Sequence, residues 1–224
     1  MSLTSASPTP SLAGVWVPIV TPFLQQAERP VDHAALGLLA KRLQAAAVHG
    51  LVVGGTTGEA FALSNAERLA CWQTIASHAP HVPLMLGSGG ASLNEALAYM
   101  AWLADAQRTQ ELPLHAVLLA APAYIRPSAA GLERWFSALA DAAPAPVVIY
   151  DIPYRTGAVL PRELLLTLAQ HPRIAGVKDC GGDWAKSQAL LHDGRLQWLA
   201  GEDMQVLAQL AHGAVGCQDR KSVV

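Results

Sequence analysis

Lysine is scarce in this sequence, and its four positions, Lys41, Lys178, Lys186 and Lys221, differ in setting. Lys41 and Lys186 fall on helix faces and Lys221 in a polar terminal stretch, where a solvated charge is the plain expectation. Lys178 instead closes the apolar run Ile174-Ala175-Gly176-Val177-Lys178. A lysine at the C-terminal end of a buried parallel strand points into the mouth of a barrel, where such folds build their sites. Desolvation there lowers an amine's pKa, and an unprotonated amine can attack a carbonyl carbon to form a Schiff base. The bland alternative is a lysine reaching from a strand end to solvent.

Two other loops carry suitable groups. Gly54-Gly55-Thr56-Thr57-Gly58-Glu59 follows an apolar run directly. Its glycines expose backbone N–H groups, and its paired hydroxyls can bind a carboxylate or relay a proton. An ordinary turn is the competing reading. Tyr150-Asp151-Ile152-Pro153-Tyr154-Arg155-Thr156-Gly157 follows another run. Tyr150 would face the same mouth as Lys178 and could move protons, unless it is simply a buried tyrosine with its hydroxyl satisfied by backbone. Arg155, on the loop beyond, could hold a carboxylate through two parallel hydrogen bonds; a surface arginine is the alternative. Tyr124, in Pro122-Ala123-Tyr124-Ile125-Arg126-Pro127, is a third, weaker candidate.

Positioning these groups requires regular alternation. Strands are expected at Val15–Val20, Gly50–Gly54, Pro83–Gly87, His115–Ala120, Pro146–Tyr150, Ile174–Lys178 and Gln197–Ala200. Helices are expected between them at Asp32–Val48, Ser64–His78, Ser92–Arg108, Ser128–Ala142, Pro161–Gln170, Trp184–Leu191 and Asp203–His212. Ser64-x-x-Glu67 and Ser92-x-x-Glu95 have the form of capping boxes. Strand–helix alternation implies parallel strands with right-handed crossovers, in a closed barrel or an open doubly wound sheet. The first strand lacks a G-x-G-x-x-G loop, and seven units plus the start of an eighth strand at Ala214–Cys217 favour the (β/α)8 TIM barrel.

The chain has 224 residues, 52 % hydrophobic and 14 % charged, with a formal net charge of -2. That balance suits strands covered on both faces. It argues against nucleic acid or an anionic membrane as the main partner. No apolar run reaches the roughly 18 residues of a membrane span. Cys71, Cys180 and Cys217 are widely spaced and read as reduced thiols in a cytoplasmic protein. His78 and His81 lie near one another without a third ligand, so no metal site is expected. Residues 1–13 read as a disordered tail, 14–217 as the barrel and 218–224 as a tail foreign to it. On this reading the eighth strand is incomplete or missing and the chain is a C-terminally truncated form.

Taken in order, five segments resemble the dihydrodipicolinate synthase and N-acetylneuraminate lyase superfamily. They are Val20-Thr21-Pro22-Phe23, the Gly-Thr-Thr-Gly-Glu of 55–59, Tyr124 in Pro-x-Tyr-x-x-Pro, Tyr150 to Gly157, and Gly176-Val177-Lys178-Asp179. The resemblance runs from about Gly14 to Cys217. It implies that Lys178 forms an imine with pyruvate and that Tyr150 exchanges protons with that intermediate. Thr56 would link Tyr150 by hydrogen bonds to a Tyr124 reaching in from a neighbouring subunit. The loop of Gly55 and Thr57 would bind the pyruvate carboxylate, and Arg155 the carboxylate of the second substrate.

No cofactor is implied, because the covalent Schiff base serves as the electron sink. The partners implied are pyruvate and an aldehyde, with a homodimer or homotetramer at full length. Thr56-Thr57 and Arg155 look more like the synthase branch, so condensation with aspartate 4-semialdehyde on the route to diaminopimelate and lysine is the expected reaction. Ala123, Ile125 and Asp151 depart from the synthase pattern, and Gln218-Asp219 stand where the family has Ile-Ser. The alternatives are an aldolase of the same superfamily acting on another keto acid or sugar acid, or a non-catalytic truncated barrel.

Overall fold

The short apolar runs form parallel strands, and the strands close on themselves. A computed structural model describes residues 10–218; the remainder of both expected tails lies outside the described residues. The strands are β1 (Gly14–Pro18), β2 (Gly50–Val53), β3 (Leu84–Ser88), β4 (Ala116–Ala120), β5 (Val147–Asp151), β6 (Ile174–Asp179), β7 (Gln197–Ala200) and β8 (Gly216–Gln218). Their order is sequential around a closed barrel.

The helices are α1 (His33–Ala45), α2 (Asn65–His78), α3 (Leu93–Gln110), α4 (Ala129–Ala142), α5 (Pro153–Thr156), α6 (Arg162–Leu168), α7 (Trp184–Asp193) and α8 (Asp203–Ala211). Local chemistry fixes several of their starts. Ser64 accepts from Glu67 N while Glu67 Oε2 accepts from Ser64 N at 2.8 Å, completing the capping box of α2. The second expected box forms only its first half, with Ser92 Oγ accepting from Glu95 N at 3.4 Å.

Strand alternation sorts the apolar residues into two layers. Trp16, Val52, Met85, Leu118, Val148 and Leu199 fill the barrel interior. Val17, Leu51, Leu84, Val117, Val147 and Val177 face the helices. The interior is therefore filled by side chains and is not an open pore.

The eighth strand corrects the expectation of an incomplete barrel. β8 has three residues, yet it pairs with both β7 and β1, leaving no open edge among the described residues. A glycine at 216 makes this possible: a Cβ there would lie 2.0 Å from the Gly14 carbonyl oxygen. Gln218 is the last residue of β8 and is fully buried. At the other terminus, Leu12 is fully buried, with its N–H donated to Gln197 Oε1 at 2.8 Å and its carbonyl accepting from Trp16 Nε1 at 2.9 Å. Residues 10–13 thus plug the bottom of the barrel.

Candidate active site

The site depends on one irregularity between β5 and β6. Val147 pairs with Ile174, but Val148 pairs with Gly176, so Ala175 is an extra residue on β6. Such a bulge reverses the facing of every residue beyond it. Ile174 points to the helix layer, and after the bulge Lys178 falls opposite Tyr150. Both then turn to the interior side of the sheet.

Lys178 is 3 % exposed, and its Nζ lies 4.2 Å from the centroid of the Tyr150 ring. Tyr150 is itself buried. Burial pushes its phenol well above the ordinary tyrosine range, aided by Cys180 and Tyr154 and opposed by Arg155. The phenol is therefore a neutral group able to give and take back a proton without resting as an anion.

Beside Tyr150 opens a cavity of about 260 Å³, also lined by Gly55, Thr56, Ser88, Arg68 and Arg155. Lys178 is not on its wall; its nitrogen sits over the ring of Tyr150, which is. The Gly-Thr-Thr loop is held in place from two sides. Thr21 Oγ1 donates to the Gly58 carbonyl at 2.7 Å. Gly87 on β3 lies so close beneath that a Cβ there would stand 2.2 Å from the Gly54 carbonyl oxygen. Arg155 reaches the cavity from α5, the short helix directly after β5.

Thr57 is half-buried and does not line the cavity, so any role for it runs through its loop. Tyr124 is not brought to the cavity either. It has a φ of 74°, is 91 % exposed, and is tied to the chain by its N–H donating to the Thr156 carbonyl at 3.0 Å.

Three neighbours of the site were not singled out by sequence. Cys180, two residues past Lys178, shares the interior cluster with Tyr150, and its Sγ donates to the Gly201 carbonyl at 3.2 Å. Strand alternation from Lys178 could have found it. Burial pushes this thiol up to about 12, with Lys178 opposing. Ser88 is the last residue of β3, in a Gly-Ser-Gly-Gly run that has the same rim chemistry as the loop at 54–58. Arg68 sits on α2, with its guanidinium donating to the Ala60 carbonyl and lying 5.3 Å from the Tyr99 ring centroid; helix periodicity alone does not show that it turns to the cavity.

Known proteins are similar to this chain in sequence and fold. The profile of the Dihydrodipicolinate synthetase family matches residues 11–220. A 4-hydroxy-tetrahydrodipicolinate synthase of Natronomonas pharaonis is 34% identical over 210 residues, covering 92% of this chain and 69% of its own. A 4-hydroxy-tetrahydrodipicolinate synthase 2 of Streptomyces coelicolor is 36% identical, covering 96% and 70%. Among solved structures, the chloride-inhibited dihydrodipicolinate synthase of Acinetobacter baumannii complexed with pyruvate superposes with a TM-score of 0.84 at 32% identity, covering 93% of this chain and 70% of that one.

Proposed function

The chain belongs to the dihydrodipicolinate synthetase family, and from that premise we propose that it is a pyruvate-dependent carbon–carbon lyase or synthase with Lys178 as its covalent nucleophile. The observation that carries this reading is the buried Lys178 nitrogen 4.2 Å from the Tyr150 ring, at paired strand ends beside the cavity. The Acinetobacter baumannii relative is described with pyruvate bound.

The chemistry runs as follows. Lys178 Nζ attacks the ketone carbon of pyruvate, and loss of water leaves an imine. Tyr150 supplies a proton to the departing oxygen and recovers it later. The imine withdraws electrons, so the methyl group loses a proton to give an enamine. The enamine carbon attacks an aldehyde carbon, forming the new carbon–carbon bond, and water then releases the product from Lys178. The N–H groups of Gly55 and the Thr57 loop hold the pyruvate carboxylate. Thr56 connects Tyr150 to the relay, and Arg155 grips a carboxylate on the aldehyde. Tyr124, exposed and absent from the wall of its own cavity, would complete the relay from a second copy of the chain, so that the active form is at least a homodimer. No cofactor is called for, and we place the reaction in the cytoplasm.

Arg155 at the cavity wall favours an aldehyde bearing a carboxylate, and we assign aspartate 4-semialdehyde. A substrate panel tests this. Pyruvate consumption with aspartate 4-semialdehyde should exceed that with neutral aldehydes by at least about tenfold, as expected for a lost bidentate contact. Faster cleavage of keto sugar acids would assign the chain to the sister aldolases instead.

A further inference from the structure

Two carboxyls stand directly behind the reacting pair. Asp151 and Asp179 follow Tyr150 and Lys178 on their strands and are register partners in the same way. Alternation turns both toward the helix layer, where both are fully buried. Carboxylates facing one another across a ladder repel. Helix α7 answers with two successive residues. Lys186 Nζ donates to Asp151 Oδ2 at 2.5 Å, and Ser187 Oγ donates to Asp179 Oδ2 at 2.6 Å.

The two prongs are unequal. Asp179 also accepts from Gly181 N and from Gln209 Nε2, each at 2.8 Å. Asp151 Oδ1 has no hydrogen-bond partner among the described residues, so Lys186 is the group that holds this carboxyl. Lys186 is 8 % exposed and spends a second proton on the Leu160 carbonyl at 3.3 Å. It is not the solvated helix lysine that sequence suggests.

A clamp at this end has work to do because of the bulge. Ala175 is left over between the Val147–Ile174 and Val148–Gly176 pairs. A one-residue slip would erase it, set Val177 opposite Tyr150 and turn Lys178 toward the helices. The β6–β7 ladder, from Gly176–Gln197 to Asp179–Ala200, holds one edge of β6. Side chains at the strand ends can hold the other edge, and in the slipped register Asp151 would face Lys178.

We propose that Lys186, acting through Asp151, is a positioning residue that locks the β5–β6 register in which Lys178 and Tyr150 share the barrel interior. This rests on the reading of Lys178 as the imine-forming amine. The inner pair and the outer pair are then two sides of one strand junction.

The test is the time course of borohydride-trapped pyruvate adduct at saturating pyruvate, in the full chain, with folding followed by circular dichroism. Lys186→Met should lower the rate constant by about tenfold or more, the scale of a sub-ångström to ångström misplacement, while the half-saturating pyruvate concentration changes by less than about twofold. Lys186→Arg, which keeps the charge and a donor, should recover most of the rate. A merely structural role would reduce the fraction of molecules labelled and leave the rate constant of the folded ones unchanged. Folded Lys186→Met that labels at the unsubstituted rate overturns the proposal. Should that variant not fold, Asp151→Leu with Lys186→Met removes both members of the buried ion pair together and is expected to fold and label slowly; labelling at full rate, or failure of both to fold, equally overturns it. Absence of adduct in the unsubstituted protein would count against Lys178 as nucleophile, a separate failure.

Discussion

Lys178 and Tyr150 are register partners across β6 and β5, with the lysine nitrogen 4.2 Å from the centroid of the phenol ring. The contact exists because one extra residue, Ala175, reverses the facing of β6 before its end. A nucleophile and a proton carrier are thereby fixed on neighbouring strands, where the barrel wall sets their separation. The consequences can be measured one at a time.

Removing the phenol oxygen tests its part in proton transfer. Tyr150→Phe keeps the ring that packs beneath Lys178 and should lower kcat by about 10²- to 10⁴-fold, the usual worth of a positioned acid–base group. Thermal unfolding should shift little. Steady-state kinetics alongside a melt separate the two effects.

Gly87 tests how the Gly-Thr-Thr loop is seated. A Cβ at this position would meet the Gly54 carbonyl oxygen at 2.2 Å, so Gly87→Ala must displace the loop. Overpacking of this kind costs about 1–3 kcal/mol. The half-saturating pyruvate concentration should rise as well, because the loop amides move. Unchanged stability and unchanged pyruvate dependence would show that the loop is not seated on β3 in this way.

The Cys180 thiol offers a pH test. Burial moves it from 9.0 to about 12, so at pH 8 only about one molecule in 10⁴ carries the reactive thiolate. Iodoacetamide should leave Cys180 unmodified in the native protein and label it after denaturation, as read by peptide mass. Below pH 9 folded and unfolded chains both hold this proton. Between 9 and about 12 the unfolded chain releases it first, so stability falls as pH rises through that window. Denaturant midpoints that rise over the same window would contradict the assignment.

Gln218 is buried in β8, with neither amide atom hydrogen-bonded among the described residues. An unsatisfied buried amide costs about 1–3 kcal/mol. Gln218→Leu, close in volume and apolar, should therefore raise the denaturant midpoint with the slope unchanged. A lower midpoint would mean that the amide has a partner.

Much of this arrangement is legible in the residues alone. Fully buried parallel strands read as continuous apolar runs, and Gln197–Ala200 has the bounds expected of it while β2 to β6 fall within a residue of theirs. Lys178, Tyr150 and Thr56 stand out because each terminates or follows such a run. Other features depend on contacts distant in sequence. The bulge at Ala175 has no marker of its own, since an alanine fits either layer. Lys186 looks like a surface residue until α7 is docked over Asp151. The four-residue helix α5 is too short to show a period. β8 closes the barrel with three residues because Gly216 lets β1 approach, which its apolar content does not reveal.

The most direct measurement is peptide mapping after the protein is incubated with pyruvate and reduced with borohydride. Reduction of the imine should leave a stable added mass on the peptide containing Lys178, and Lys178→Ala should abolish it. Label on Lys41 or Lys186 in its place, or none at all in the folded protein, would contradict the assignment of Lys178 as the covalent nucleophile.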